Sequence, residues 1–154
     1  MKKLISAILA IAMMLSFNIS ASAAEPVQKL IPDPPYNDVE RGSSAPDIFT
    51  VWNIEQKGQY DFEGFAEGYS DTALYTNYHF KGKTSYMVQI NNTCGYDVEV
   101  LFRGWFTDYR TVTVPAYSTR NYQINTRTCD EEITADTIWY IRFSAPCEVN
   151  GYVK

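Results

Sequence analysis

ALYTNYHFKGKTSYMVQIN, residues 73–91, alternates, turns once and alternates again. In 73–80, Leu74, Thr76, Tyr78 and Phe80 fall on one side of an extended chain, with Tyr75, Asn77 and His79 on the other. In 84–91, Tyr86, Val88 and Ile90 fall together. Successive side chains of a strand point to opposite faces, so period two in aromatic and β-branched residues marks a half-buried strand. Lys81-Gly82-Lys83 supplies the turn between two such strands. The stretch also holds the chain's one histidine, His79. A histidine inside an alternating run reads as sheet, not as an active-site base.

The same grammar extends outward in both directions. IFTVWNI (48–54) and QYDFEGF (59–65) precede the stretch, with Lys57-Gly58 as a turn between them. DVEVLFRGW (97–105), TVTVP (111–115) after a TDYR turn, TRNYQIN (119–125), TIWYIRFS (137–144) and EVNGYVK (148–154) follow it. Nine short strands about ten residues apart predict an all-β fold: a single antiparallel sandwich of eight or nine strands, jelly-roll or Ig-like, over 47–154. Twelve Tyr, eight Phe and three Trp suit strands,. No amphipathic helix of useful length is expected after residue 23.

Residues 1–23 read as an export signal. Lys2 and Lys3 open it, an apolar run follows from Leu4 to Phe17, and Ala21-Ser22-Ala23 fits a cleavage site,. The run is short for a membrane span, so no membrane insertion is expected once it is removed. Removal leaves 131 of 154 residues, with 11 basic against 18 acidic side chains, a net charge of −7. An acidic chain with scattered Lys and Arg lacks the electrostatic footprint of a nucleic-acid binder. Residues 24–46 hold five of the seven prolines and read as an extension, either a linker or a strap over the domain; PDPPY within it also reads as a docking peptide,. The expected location is extracellular, either released or retained at the cell wall.

LYTNYHFKGKTSY, INN, DVEV, VPAYS and a terminal WYIRFSAP followed by GYV resemble the strand-and-turn patterns of small exported single-domain β proteins of Gram-positive bacteria. The resemblance covers most of 60–154. It implies a β-sandwich and export, and carries no activity to any residue.

Cys94, Cys129 and Cys147 make an odd count. Export favours one disulfide. If strands run alternately up and down, Cys94 and Cys147 end strands that rise while Cys129 lies at the opposite end; parity favours Cys94–Cys147, with Cys94–Cys129 as the alternative. The spare thiol leaves room for a disulfide-linked dimer. Three cysteines are too few for a closed Cys-rich zinc site.

Catalytic signatures are missing: there is no G-x-S-x-G, H-E-x-x-H or phosphate-loop pattern,. The loop CDEEITAD offers Asp130, Glu131, Glu132 and Asp136, donors suited to calcium, but lacks the glycine and spacing of an EF-hand,. A solvated loop and no cofactor are expected. Aromatic residues exceed what one core uses. Counting inward positions leaves Tyr75, His79 and Tyr140, with Trp105, Phe106 and Tyr109 of the WFTDY cluster, as candidate ligand-binding residues. Flat rings stack on sugars and equally mark protein contacts. The expected function is therefore an exported, non-catalytic binding module for extracellular or cell-wall polysaccharide. The alternative is a protein-interaction or envelope component such as an adhesin or inhibitor, and the third reading is a small secreted hydrolase.

Overall fold

The computed structural model describes residues 25–32, 50–68 and 73–154. The expected signal segment and most of PDPPY lie outside these residues. The elements, in order, are β1 (Gln28–Lys29), β2 (Ile31–Pro32), β3 (Val51–Asn53), helix α1 (Ile54–Lys57), β4 (Tyr60–Ala66), β5 (Ala73–Tyr75), β6 (His79–Lys81), β7 (Ser85–Asn92), β8 (Val98–Arg103), β9 (Asp108–Val114), β10 (Ser118–Asn125), β11 (Tyr140–Ser144) and β12 (Cys147–Val153).

Two five-stranded sheets form a sandwich, ordered β1-β4-β12-β7-β10 and β2-β5-β11-β8-β9. Every pairing inside them is antiparallel except the two-residue contact of β1 with β4. Eight strands in the orders β4-β12-β7-β10 and β5-β11-β8-β9 make a jelly roll, two Greek keys wound together,. β3 and β6 pair in parallel as a small third sheet. Phe80 joins it to the residue just ahead of β11, exchanging backbone hydrogen bonds with Trp139 at 2.6 and 3.2 Å.

The core follows the alternation. Tyr86, Val88 and Ile90 of β7 are buried, as are Val98, Val100 and Phe102 of β8 and Ile141 and Phe143 of β11. Trp139 lies at its centre, with ring centroids 5.0 Å from Phe80, 5.0 Å from Tyr86 and 6.0 Å from Phe102. Tilted and edge-on rings at such separations add about 0.5–1.5 kcal/mol per pair to the gain from burial.

Three expectations need correction. The run 48–54 is not one strand: β3 covers three residues, and α1 follows because the Asn53 side chain accepts from the Glu55 and Gln56 backbone N–H groups at 3.0 and 3.3 Å,. The run 73–80 is split between two sheets. Thr76 breaks it, bonding to Ile141 through its backbone N–H and, as acceptor, through its hydroxyl. Asp108–Arg110, expected as a turn, belong to β9. Within the Pro-rich extension, residues 25–32 run along the edges of both sheets: β1 extends one, β2 extends the other, and Leu30 between them is buried.

Candidate functional site

The strand register places one compositional feature on the outer face of the β4-containing sheet. Because the even-numbered side chains of β7 point inward, Ser85, Met87, Gln89 and Asn91 point out. β10 lies beside them, with Thr119 opposite Asn91, Asn121 opposite Gln89, Gln123 opposite Met87 and Asn125 opposite Ser85. On the other flank β12 sets Asn150 opposite Asn91 and Tyr152 opposite Gln89. Six amides, a serine and a threonine thus share one surface.

Neighbours hold these amides in place. The Gln89 amide donates to Asn121 at 3.1 Å, Asn91 to Asn150 at 3.4 Å, and Gln123 to the Ser85 hydroxyl at 3.2 Å. The Thr119 hydroxyl donates to Asn91 at 2.9 Å. Each amide carries two donor hydrogens and an acceptor oxygen, so one bond to a neighbour orients it and leaves capacity toward solvent. Over β7 and β10 this face carries no charge. Charge gathers at its borders: Asp61, Glu63 and Glu148 on the β4 side, with Glu63 ion-paired to Lys29, and Lys154 above the Tyr152 ring at 5.0 Å. Phe65 stands exposed at the upper corner, opposite Glu148. At the lower end, Lys83, Ser85, Met87, Gln123 and Lys154 line an open depression of about 340 Å³.

The residues singled out from sequence do not form one cluster. Tyr75, Tyr140 and His79 are buried. Tyr75 and Tyr140 pack with Ala73 apart from the main core, and the His79 ring meets Tyr140 edge-on at 5.2 Å. Trp105 and Phe106 are exposed, at 58% and 92%, on the β8–β9 connection, stacked edge-to-face at 5.9 Å. Tyr109 is half-buried and closes over Gly104, where a Cβ would lie 2.7 Å from its ring. Exposed aromatic surface among the predicted residues is therefore Trp105 and Phe106, at the lower end of the sandwich.

Asp130, Glu131, Glu132 and Asp136 are all exposed. Their loop is anchored by buried Ile133, whose backbone N–H donates to the Thr126 hydroxyl at 3.1 Å, and by the Asp130 N–H donating to the Tyr109 carbonyl at 3.0 Å. Among the described residues no three His, Cys, Asp or Glu side chains converge as a metal site would require.

All three cysteines are reduced, so the expected disulfide is not formed in this structure. Cys94 and Cys147 both lie at the upper end, flanked by Phe65 and Tyr96, while Cys129 lies in the β10–β11 connection at the lower end. Burial pushes the Cys147 thiol up to about 12, with nearby Cys94 adding to the shift, and burial also raises Cys129. Thiols shifted this way stay protonated and make poor nucleophiles. Burial likewise raises Tyr60, Tyr86 and Tyr140.

The amide face was not singled out in the sequence. Its signal is the polar half of the alternation: Gln89 and Asn91, then Thr119, Asn121, Gln123 and Asn125 at every second position. That half of a strand is usually ordinary solvated surface, and only the register shows that three strands carry amides side by side.

No protein-family model matches the sequence, and no curated protein matches it. Two solved structures are similar to it, both variants of a family 29 carbohydrate-binding module studied for its mechanism of ligand recognition. Each is 17% identical with a TM-score of 0.33; the match covers 63% of this chain and 67% or 62% of the other. A likeness at that TM-score carries no argument about function.

Proposed function

We propose that this protein is an exported, non-catalytic binding module that recognises a neutral polysaccharide on the amide face of β12, β7 and β10. The observation that carries the reading is the oriented, uncharged row of Gln89, Asn91, Asn121, Gln123 and Asn150. Sugar hydroxyls donate and accept at once, and an amide offers both functions without the desolvation cost of a charge. Tyr152 and Phe65 add apolar surface of the kind that packs against a sugar ring,. The non-catalytic part is supported by the burial of His79 and by upward-shifted thiols. The test is binding to insoluble neutral polysaccharides and peptidoglycan. A combined Asn91→Ala/Asn121→Ala variant should lose at least tenfold in affinity while keeping its unfolding midpoint; unchanged binding would remove the face from the account.

A second reading has its own observation. Trp105 and Phe106 are exposed on one loop, away from the amide face. They support a protein contact, as in an envelope component or adhesin. Cross-linking to a single partner that Phe106→Ala abolishes, with glycan binding absent, would favour this reading.

A further inference from the structure

We infer that Cys94 and Cys147 are built to form an intramolecular disulfide across β7 and β12, with Cys129 left as the thiol. The inference is independent of the glycan reading. It follows from the hydrogen-bond pattern of the β7–β12 pair. Met87 and Lys154 exchange both backbone bonds, each at 2.9 Å. Moving up the ladder, hydrogen-bonded and non-hydrogen-bonded pairs alternate. The Thr93 N–H donates to Glu148 at 2.9 Å, as that alternation requires. Continued two residues beyond the last paired residues, Asn92 and Val149, the register sets Cys94 opposite Cys147, at the next non-hydrogen-bonded position.

Position and direction both favour a bond. At non-hydrogen-bonded sites facing Cα atoms lie about 4.5 Å apart, inside the range a disulfide spans. Both side chains also point inward: Val88, Ile90 and Asn92 precede Cys94 on the inner face of β7, and Val149 and Val153 follow Cys147 on that of β12. Both sulfurs pack against the core, and both residues line one recess with Phe65, Tyr96 and Pro146. The influence of Cys94 on the Cys147 thiol agrees with their closeness. In the reduced state the Cys94 thiol donates to the Asn92 Oδ1 at 3.0 Å, an atom that also accepts from the Cys94 backbone N–H at 3.1 Å. Oxidation removes the first bond and leaves the second.

The chemistry is exchange with an external small-molecule or enzyme disulfide. Half-exposed Cys94 attacks as thiolate, releasing one thiol and forming a mixed disulfide. Cys147 then attacks the Cys94 sulfur and releases the second thiol. Two protons and two electrons pass to the external disulfide, and one S–S bond joins Cys94 to Cys147. Because Cys147 is buried, this second step is slow in the folded chain and fast during folding.

The test is refolding of the reduced protein in a mixture of oxidised and reduced glutathione, then alkylation and peptide mass spectrometry. The expected product is a monomer that has lost two hydrogens, contains a linked Cys94–Cys147 peptide and is alkylated at Cys129. It should melt about 10 °C above the dithiothreitol-treated protein, since the bond closes a long loop. Cys94→Ser should abolish that difference, whereas Cys129→Ser should keep it. Alkylation of all three thiols, a link through Cys129, or a disulfide-linked dimer as the main product would overturn the inference.

Discussion

Asn92 is the buried polar residue on which the upper end of the sandwich depends, and replacing it by Ala should be costly. The two hydrogens of its side-chain amide are shared among the Tyr96 carbonyl at 2.7 Å and the Val114 and Pro115 carbonyls at 3.1 Å each,. Its oxygen accepts from the Cys94 backbone. One side chain therefore joins the β7–β8 and β9–β10 connections from inside the core. In Asn92→Ala the buried Val114 carbonyl loses this donor, a loss of about 1–3 kcal/mol,. The Tyr96 and Pro115 carbonyls and the Cys94 N–H are partly solvated, and each adds about 0.5 kcal/mol,. The total is about 2.5–4.5 kcal/mol, or about 9–16 °C in melting temperature for a domain of this size. Urea denaturation with an unchanged m-value is the assay. A loss below about 1 kcal/mol would mean that water or a loop shift satisfies these groups, and the reasoning would fail.

Two further predictions concern stability. Gly82 has φ +102°, and a Cβ there would lie 2.2 Å from the Asn53 oxygen that caps α1. Gly82→Ala should cost about 2–3 kcal/mol through strain and a lost cap, and in Asn53→Ala the same change should cost about 1 kcal/mol less, read by a double-mutant denaturation cycle; additive effects would separate the turn from the cap. At alkaline pH, the folded protein holds protons on Cys147 and Tyr86 more tightly than the unfolded chain, since burial raises them above 9.0 and 10.0. Stability is then complete below pH 9 and falls as pH rises toward about 12,. Cys147→Ala should flatten the first part of that fall in reduced protein, measured by urea midpoints from pH 8 to 11; an unchanged slope would refute the assignment.

Much of the fold is legible because alternation and burial coincide. Tyr86, Val88 and Ile90, or Val98, Val100 and Phe102, share one face of an extended strand, and a one-residue slip would turn each set outward,. The jelly-roll order is not legible, because alternation fixes faces and not neighbours. The break at Thr76 was hidden for a different reason: no Gly or Pro marks it, and a hydroxyl takes a backbone role. Asn53 as a helix cap was masked by the apolar run around it. The aromatic candidates divided because counting inward positions says which face a ring takes and nothing about what covers it. Tyr75 and Tyr140 do stand apart from the main core, yet both are buried. The amide row needed the register of three strands that are distant in sequence.

Glycan binding by the amide face is the central claim, and affinity electrophoresis tests it most directly. The mature protein and the Asn91→Ala/Asn121→Ala variant are run in native gels containing one neutral polysaccharide at a time. The account predicts that at least one polymer retards the wild type and not the variant, with no change when Phe106 is replaced by Ala. Equal retardation of wild type and the amide variant, or retardation lost only in the Phe106 variant, would contradict it.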